Sequence, residues 1–215
     1  TGSLSGTVPA SLANGQIRSI ESSLSGRQLS AAGIPVQALD LLATTDGTVL
    51  TIKTCRAQLD ARNAISLDGT MALSGNRAIS ANWNASLPNL ERLSSFSGIP
   101  DLPGPEGGSL IARGSLSSNL DDLSRRDFSS SSAQAFLNAS AVRWKSATLQ
   151  SIEANVSVAD NAADLSLGRI ILNDRNRLSL TGHSTLVAPF AFDAMLDGDL
   201  TKLPDLNAWL AAFKA

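Results

Sequence analysis

Tyrosine is absent from this 215-residue chain, and aromatic residues together make up only 4% of it. An enzyme of this size usually draws on more aromatic area for its core and pocket, because each ring buries a large surface. So little of it points to thin, repetitive packing of small and aliphatic side chains. A single cysteine, Cys55, excludes an internal disulfide and a multi-cysteine metal site. The only histidine, His183, leaves little material for a triad or a His-rich metal centre. Net charge is −2 and the basic residues are scattered. Nothing would neutralise a run of phosphates, so nucleic acid is not an expected partner. No stretch approaches the ~20 apolar residues of a membrane-spanning helix. The opening "TGSLSGTVPAS" lacks the basic start and apolar run of a signal peptide. The chain starts mid-pattern and is expected to be a piece of a longer protein, with its targeting segment elsewhere.

What the chain does have is alternation. Val36–Ala43, Thr48–Cys55, Ala64–Leu73 and Ala78–Leu87 alternate apolar and polar residues, separated by the turn sequences "TTDGT", "ARN" and "SGNR". Leu149–Ala159, Asp164–Leu172, Arg177–Leu186 and Pro189–Leu200 continue in the same way. Residues i, i+2 and i+4 of a strand share a face. Ile65, Leu67, Met71 and Leu73 therefore fall on one side, as do Phe190, Phe192, Ala194 and Leu196. The sheet should have one greasy face and one wet face.

The pattern also repeats. "RNAISLDGTMAL" at Arg62 returns as "RNRLSLTGHSTL" at Arg175, and 175 − 62 = 113. At that offset Val36 falls on Leu149, Ile52 on Leu165, Leu59 on Leu172 and Ile65 on Leu178. "LPNLERL" (Leu87–Leu93) returns as "LPDLNAWL" (Leu203–Leu210), so each copy should close with a proline-introduced short amphipathic helix. An order of strands and then a helix, occurring twice, reads as an internal repeat. The Gly/Pro/Ser-rich connector Ser94–Ser109 places the boundary, giving a first repeat over 1–100 and a second over 101–215. Arg125–Gln134 reads as either a loop or a weak edge strand.

These runs, together with the glycine-punctuated Gly107–Leu123, resemble the AsmA/TamB superfamily of bacterial envelope proteins. The shared features are an L-x-L-x-G-x-x-x-L strand pair and a turn into a short helix. The resemblance implies a mainly β fold: an elongated, curled antiparallel sheet, a β-taco or half-pipe, built from two repeats of about 110 residues. It implies a segment of a periplasmic conduit, tethered to the inner membrane through an anchor outside this segment. Phospholipid acyl chains would travel in its apolar groove, and an outer-membrane β-barrel would be a partner of the full-length protein. Taken with the alternation, it assigns the groove to Leu39, Leu41, Ile52, Ile65, Leu67, Met71, Leu73, Val156, Val158, Leu165, Leu167, Leu178, Leu180, Leu186, Phe190, Phe192 and Leu196. A dry groove would hold hydrocarbon at about 0.8 kcal/mol per buried methylene.

No enzymatic activity, cofactor or metal is expected. His183 reads as a solvated turn residue and Cys55 as an incidental small apolar residue. The acids of "LDGDL" lack full Ca²⁺-loop spacing, and Asp121–Asp122 reads as a solvated charge cluster. Trp209 should pack with Leu206, Leu210 and Phe213 on the last helix, while Trp144, between Arg143 and Lys145, suits an edge strand. Two other readings stay open: a structural or adhesive β repeat with a closed core, and a carbohydrate-active β domain with paired acids in a cleft.

Overall fold

The computed structural model describes residues 2–13, 16–31, 34–93, 104–144, 147–202 and 207. The chain divides into two compact units. The first is Thr1–Ala85 with Arg113–Ala133 and Ala159–Asn161; the second is Ser86–Ala112, Gln134–Val158 and Ala162–Ala215.

The strands are β1 (Ser3–Thr7), β2 (Ala10–Ala13), β3 (Gln16–Ala31), β4 (Ile34–Thr45), β5 (Val49–Gln58), β6 (Ala64–Ala72), β7 (Ala78–Leu87), β8 (Gly107–Asn119), β9 (Ser132–Trp144), β10 (Ala147–Ala159), β11 (Ala162–Asn173), β12 (Asn176–Thr185) and β13 (Phe192–Leu200). They form one antiparallel sheet that does not close on itself. From β3 onward every strand lies beside its successor, so the sheet is a meander built from local pairings. Both β1 and β2 lie on the outer edge of β3, with Thr7 opposite Ser23 and Ala10 opposite Ile20. The break between them falls at Pro9, which has no N–H to give a ladder and suits only an edge. Its carbonyl still accepts the Glu21 amide at 3.1 Å.

In the first unit the turns are set by side chains that cap backbone. The Asp46 carboxylate accepts the Thr48 hydroxyl at 2.7 Å and the amides of Thr48 and Val49 at 2.8 and 2.9 Å. Those bonds hold its pKa down to about 2, and Gly47 supplies the positive φ of the turn. Between β5 and β6, Asp60 accepts the amides of Arg62 and Asn63 at 2.7 and 2.9 Å, and Asn63 is fully buried. In the second unit, Asn173 accepts the Arg175 amide at 2.9 Å. Asn176, also fully buried, donates to the Lys202 carbonyl and accepts its amide, both at 3.1 Å.

Several expectations need correction. The helix expected to close the first copy is a 3-10 turn, Leu90–Leu93, whose Leu90 is buried. The helix expected over Leu203–Leu210, with Trp209, lies outside the described residues except at Asn207. The α-helix among the described residues is instead α1 (Leu120–Ser124), directly after β8. Gly107–Leu123 is therefore one 13-residue strand running into that helix. Arg125–Gln134 is loop to Ser131 and then the start of β9. That strand, which ends on Trp144, lies between β8 and β10 rather than at an edge.

Candidate functional site

Residues directly opposite each other across an antiparallel pair share a face, so the registers define rows of side chains across the sheet. In the first unit one row runs Gly26, Leu39, Ala57, Ile65, and the next Leu24, Leu41, Cys55, Leu67. These are followed by Ser22, Ala43, Ile52, Gly69, and then Ile20, Thr45, Leu50, Met71. All six candidates on β4–β6, namely Leu39, Leu41, Ile52, Ile65, Leu67 and Met71, thus stand on one face. The other face carries the row Ser25, Asp40, Arg56, Ser66, where Ser25 donates to Asp40 at 2.8 Å.

Strict alternation would put Ile52 and Cys55 on opposite faces. One extra residue between them, seen by both neighbouring strands, restores the match. This β-bulge returns Cys55 and Ala57 to the apolar side. Cys55 is part-buried there, and that burial raises its thiol pKa. Leu24, Leu50, Cys55 and Ala57 also belong to this face; Cys55 and Ala57 are not seen from the sequence because the bulge breaks the alternation in "LTIKTCRA".

In the second unit the rows across β11, β12 and β13 run Ile170, Leu178, Gly198 and then Gly168, Leu180, Leu196. After these come Leu165, Gly182, Ala194 and finally Ala163, Ser184, Phe192. Leu165, Leu178, Leu180, Phe192 and Leu196 thus share a face as expected. Leu167 does not: it lies in a bulge between Leu165 and Gly168 and falls on the other face. Gly168 and Ile170 take the places that alternation had given to Leu167 and its successors. Leu186 and Phe190 lie in the connection between β12 and β13 rather than on a strand face, and Leu73 lies just past β6. Val156 and Val158 are on β10.

The rows of the second unit enclose a hollow of about 180 Å³, lined by Val156, Ala163, Asp164, Leu165, Leu180, Gly182, His183, Ser184, Phe192 and Ala194. Its origin is a volume deficit. Gly182 and Ala194 face each other in a row flanked by Leu180 with Leu196 on one side and Phe192 on the other. Two small residues between large ones leave a depression. The exposed surface it opens onto is apolar as well: Phe190 is 76% exposed, Phe192 74% and Leu196 67%. Drug-sized ligands ordinarily occupy pockets of about 300–1,000 Å³, so this hollow suits a stretch of hydrocarbon rather than a whole functionalised molecule.

On the reverse face of the same strands Asp164 stands directly opposite His183, with Oδ1 2.7 Å from Nδ1. His183 is therefore a strand residue with a carboxylate partner, not a solvated turn residue, though both side chains are half exposed. An exposed pair of this kind contributes about 0–1 kcal/mol. Ser184 follows His183 in the strand and so faces the other way; the two do not form a nucleophile–base pair. Among the described residues no group of three or more His, Cys, Asp or Glu is placed to hold a metal ion, and no helix is long and apolar enough to cross a membrane.

The two strand pairs β5–β6 and β11–β12 have matching geometry. Ile52 opposite Gly69 and Cys55 opposite Leu67 become, 113 residues on, Leu165 opposite Gly182 and Gly168 opposite Leu180, with the bulge at the same place. The buried Asn63 and Asn176 stand at the same offset. So do the positive-φ residues Gln28 and Ala141, and Gly47 and Asp160.

Compared with known proteins, the chain matches no family model, no curated protein and no solved structure.

Proposed function

We propose that this chain is a segment of a lipid conduit of the AsmA/TamB kind, in which phospholipid acyl chains lie against the apolar face of an open β sheet. The observation that carries this reading is the hollow at Gly182 and Ala194 with its surround of exposed apolar side chains. An ordinary core would bury Phe192 and Leu196, and monomers seldom leave such groups clustered in water without using them. A run of about six methylenes seated there would gain roughly 5 kcal/mol before binding costs. No headgroup pocket is required. The matching registers at an offset of 113 residues support reading the chain as two copies of one strand set, β1 with β3–β7 and β8 with β9–β13, β2 having no counterpart. The half-pipe curl, the periplasmic location, the inner-membrane tether and the outer-membrane β-barrel partner belong to the same proposal.

Native mass spectrometry of the chain purified from bacteria, followed by lipid extraction, tests it. Phospholipid should co-purify in near-stoichiometric amount. The Leu180→Asp variant should fold and lose that lipid, because an open face tolerates a charge that a sealed core does not. A lipid-free monomer that also fails to take up added phospholipid would overturn the reading.

A further inference from the structure

Three glycines, Gly168, Gly182 and Gly198, stand on the apolar face of β11–β13, and they do not open it equally. A Cβ on Gly168 would meet the side chains of Leu165 and Leu180 at 3.2 and 3.3 Å, and one on Gly198 would meet that of Leu178 at 2.9 Å. Leucines therefore lie over both. At Gly182 the nearest atoms are the Asp193 carbonyl oxygen at 3.1 Å and the Cβ and Cα of Ala194 at 3.4 and 3.6 Å. No long side chain stands that close. The hollow is thus a local gap in a leucine-covered face. Its floor is Ala163, Gly182, Ser184 and Ala194, and its walls are Leu165, Leu180 and Phe192.

The breadth of the gap follows from the register. Leu165 and Phe192 flank the floor, two strands and one same-face row apart. With strands about 4.8 Å apart and same-face residues about 7 Å apart along a strand, their backbones are about 12 Å apart. One file of methylenes, at about 3.5–4.0 Å from carbon on each side, takes about 7–8 Å of that. The rest goes to the thickness of the leucine and phenylalanine side chains. Two files side by side would take about 11–12 Å and leave nothing for those side chains. A strand beyond β13 would lengthen the hollow without widening it.

We propose that the hollow is a single-chain site: it seats one acyl chain at a time, and amphiphiles with one acyl chain, lysophospholipids or free fatty acids, are ligands in their own right. The inference rests on the lipid-bearing reading of this face and narrows it. A diacyl phospholipid held here buries one chain and leaves the other outside the hollow, so its second chain adds little to binding.

The test measures binding of octanoyl-lysophosphatidylglycerol, dioctanoylphosphatidylglycerol and octanoate to the full chain by calorimetry, each below its critical micelle concentration. The lysolipid should bind at one per chain, and the dioctanoyl lipid should match it within about threefold. Each buried methylene multiplies affinity about fourfold, so a second buried chain would show as a difference of about a hundredfold or more. Ser184→Met and Ala194→Leu, which fill the hollow from two different strands, should each weaken the lysolipid by about tenfold or more. The tighter of the lysolipid and octanoate names the source of the chain. A hundredfold advantage for the two-chain lipid would overturn the single-chain site and leave the conduit standing. Unchanged lysolipid affinity in both variants would do the same. No binding of any of the three would overturn the conduit as well.

Discussion

The pairs β5–β6 and β11–β12 share one backbone and differ in what fills it. Register, bulge and buried turn asparagine coincide at an offset of 113 residues. Yet, around a shared leucine (Leu67 and Leu180), the positions of Cys55 and Met71 in the first pair hold Gly168 and Ser184 in the second. The first pair is filled with side chains, while beside the second a hollow opens. The backbone is thus specified by turn chemistry and by one extra residue, and side-chain volume decides whether the apolar face is packed or hollow. The volume of an apolar face can thus differ between two strand pairs of matching register without any change of backbone.

The sharpest challenge to that equivalence is to remove the turn asparagines. Asn176→Ala removes the two hydrogen bonds that a fully buried side chain makes to the Lys202 backbone and should cost about 1–3 kcal/mol, read from urea denaturation. Asn63→Ala should cost a similar amount; a near-neutral result at either site would break the comparison. Glycine substitutions come next. A Cβ on Gly69 would meet the Ser80 carbonyl oxygen at 2.3 Å, whereas on Gly182 the nearest atom, the Asp193 oxygen, is 3.1 Å away. Gly69→Ala should therefore lose about 1–3 kcal/mol and Gly182→Ala clearly less.

Acid should weaken the first unit's β4–β5 hairpin. The folded Asp46 carboxyl titrates at about 2, below the ordinary 3.8, because it accepts bonds from Thr48 and Val49. A depressed pKa contributes stability that is fully present above the unfolded value and is lost as pH falls from about 4 through about 2. Asp46→Asn should remove that part of the acid dependence, seen as a smaller drop in urea midpoint between neutral pH and pH 2. The smallest stability effect is expected from Ser184→Met, which copies Met71 into the second unit. At a half-open position it should stay within about 0.5 kcal/mol of the parent, yet fill the hollow.

The greasy and wet faces were legible because alternation survives wherever strands are regular, as in "AISLDGTMAL". Face assignment fails where a bulge inserts a residue: alternation puts Leu167 on the apolar face and leaves Cys55 off it, and the two bulges reverse both. The strands β1, β3, β8 and β9 were hidden by composition. In "SIESSLSGRQLS" serine occupies both faces, so hydrophobic period carries little signal and pairing with neighbours decides the conformation. The hollow was not legible at all. It arises from Gly182 lying opposite Ala194, a cross-strand coincidence that only register reveals.

The most direct test of the central claim is photo-crosslinking with a phospholipid that carries a diazirine in one acyl chain, mapped by peptide mass spectrometry on the parent chain and on Ser184→Met. The account predicts labelling concentrated on β10–β13 around Val156, Leu180 and Phe192, competed by unlabelled phospholipid and strongly reduced in the variant. Labelling spread evenly over the chain, or undiminished when the hollow is filled, would contradict it.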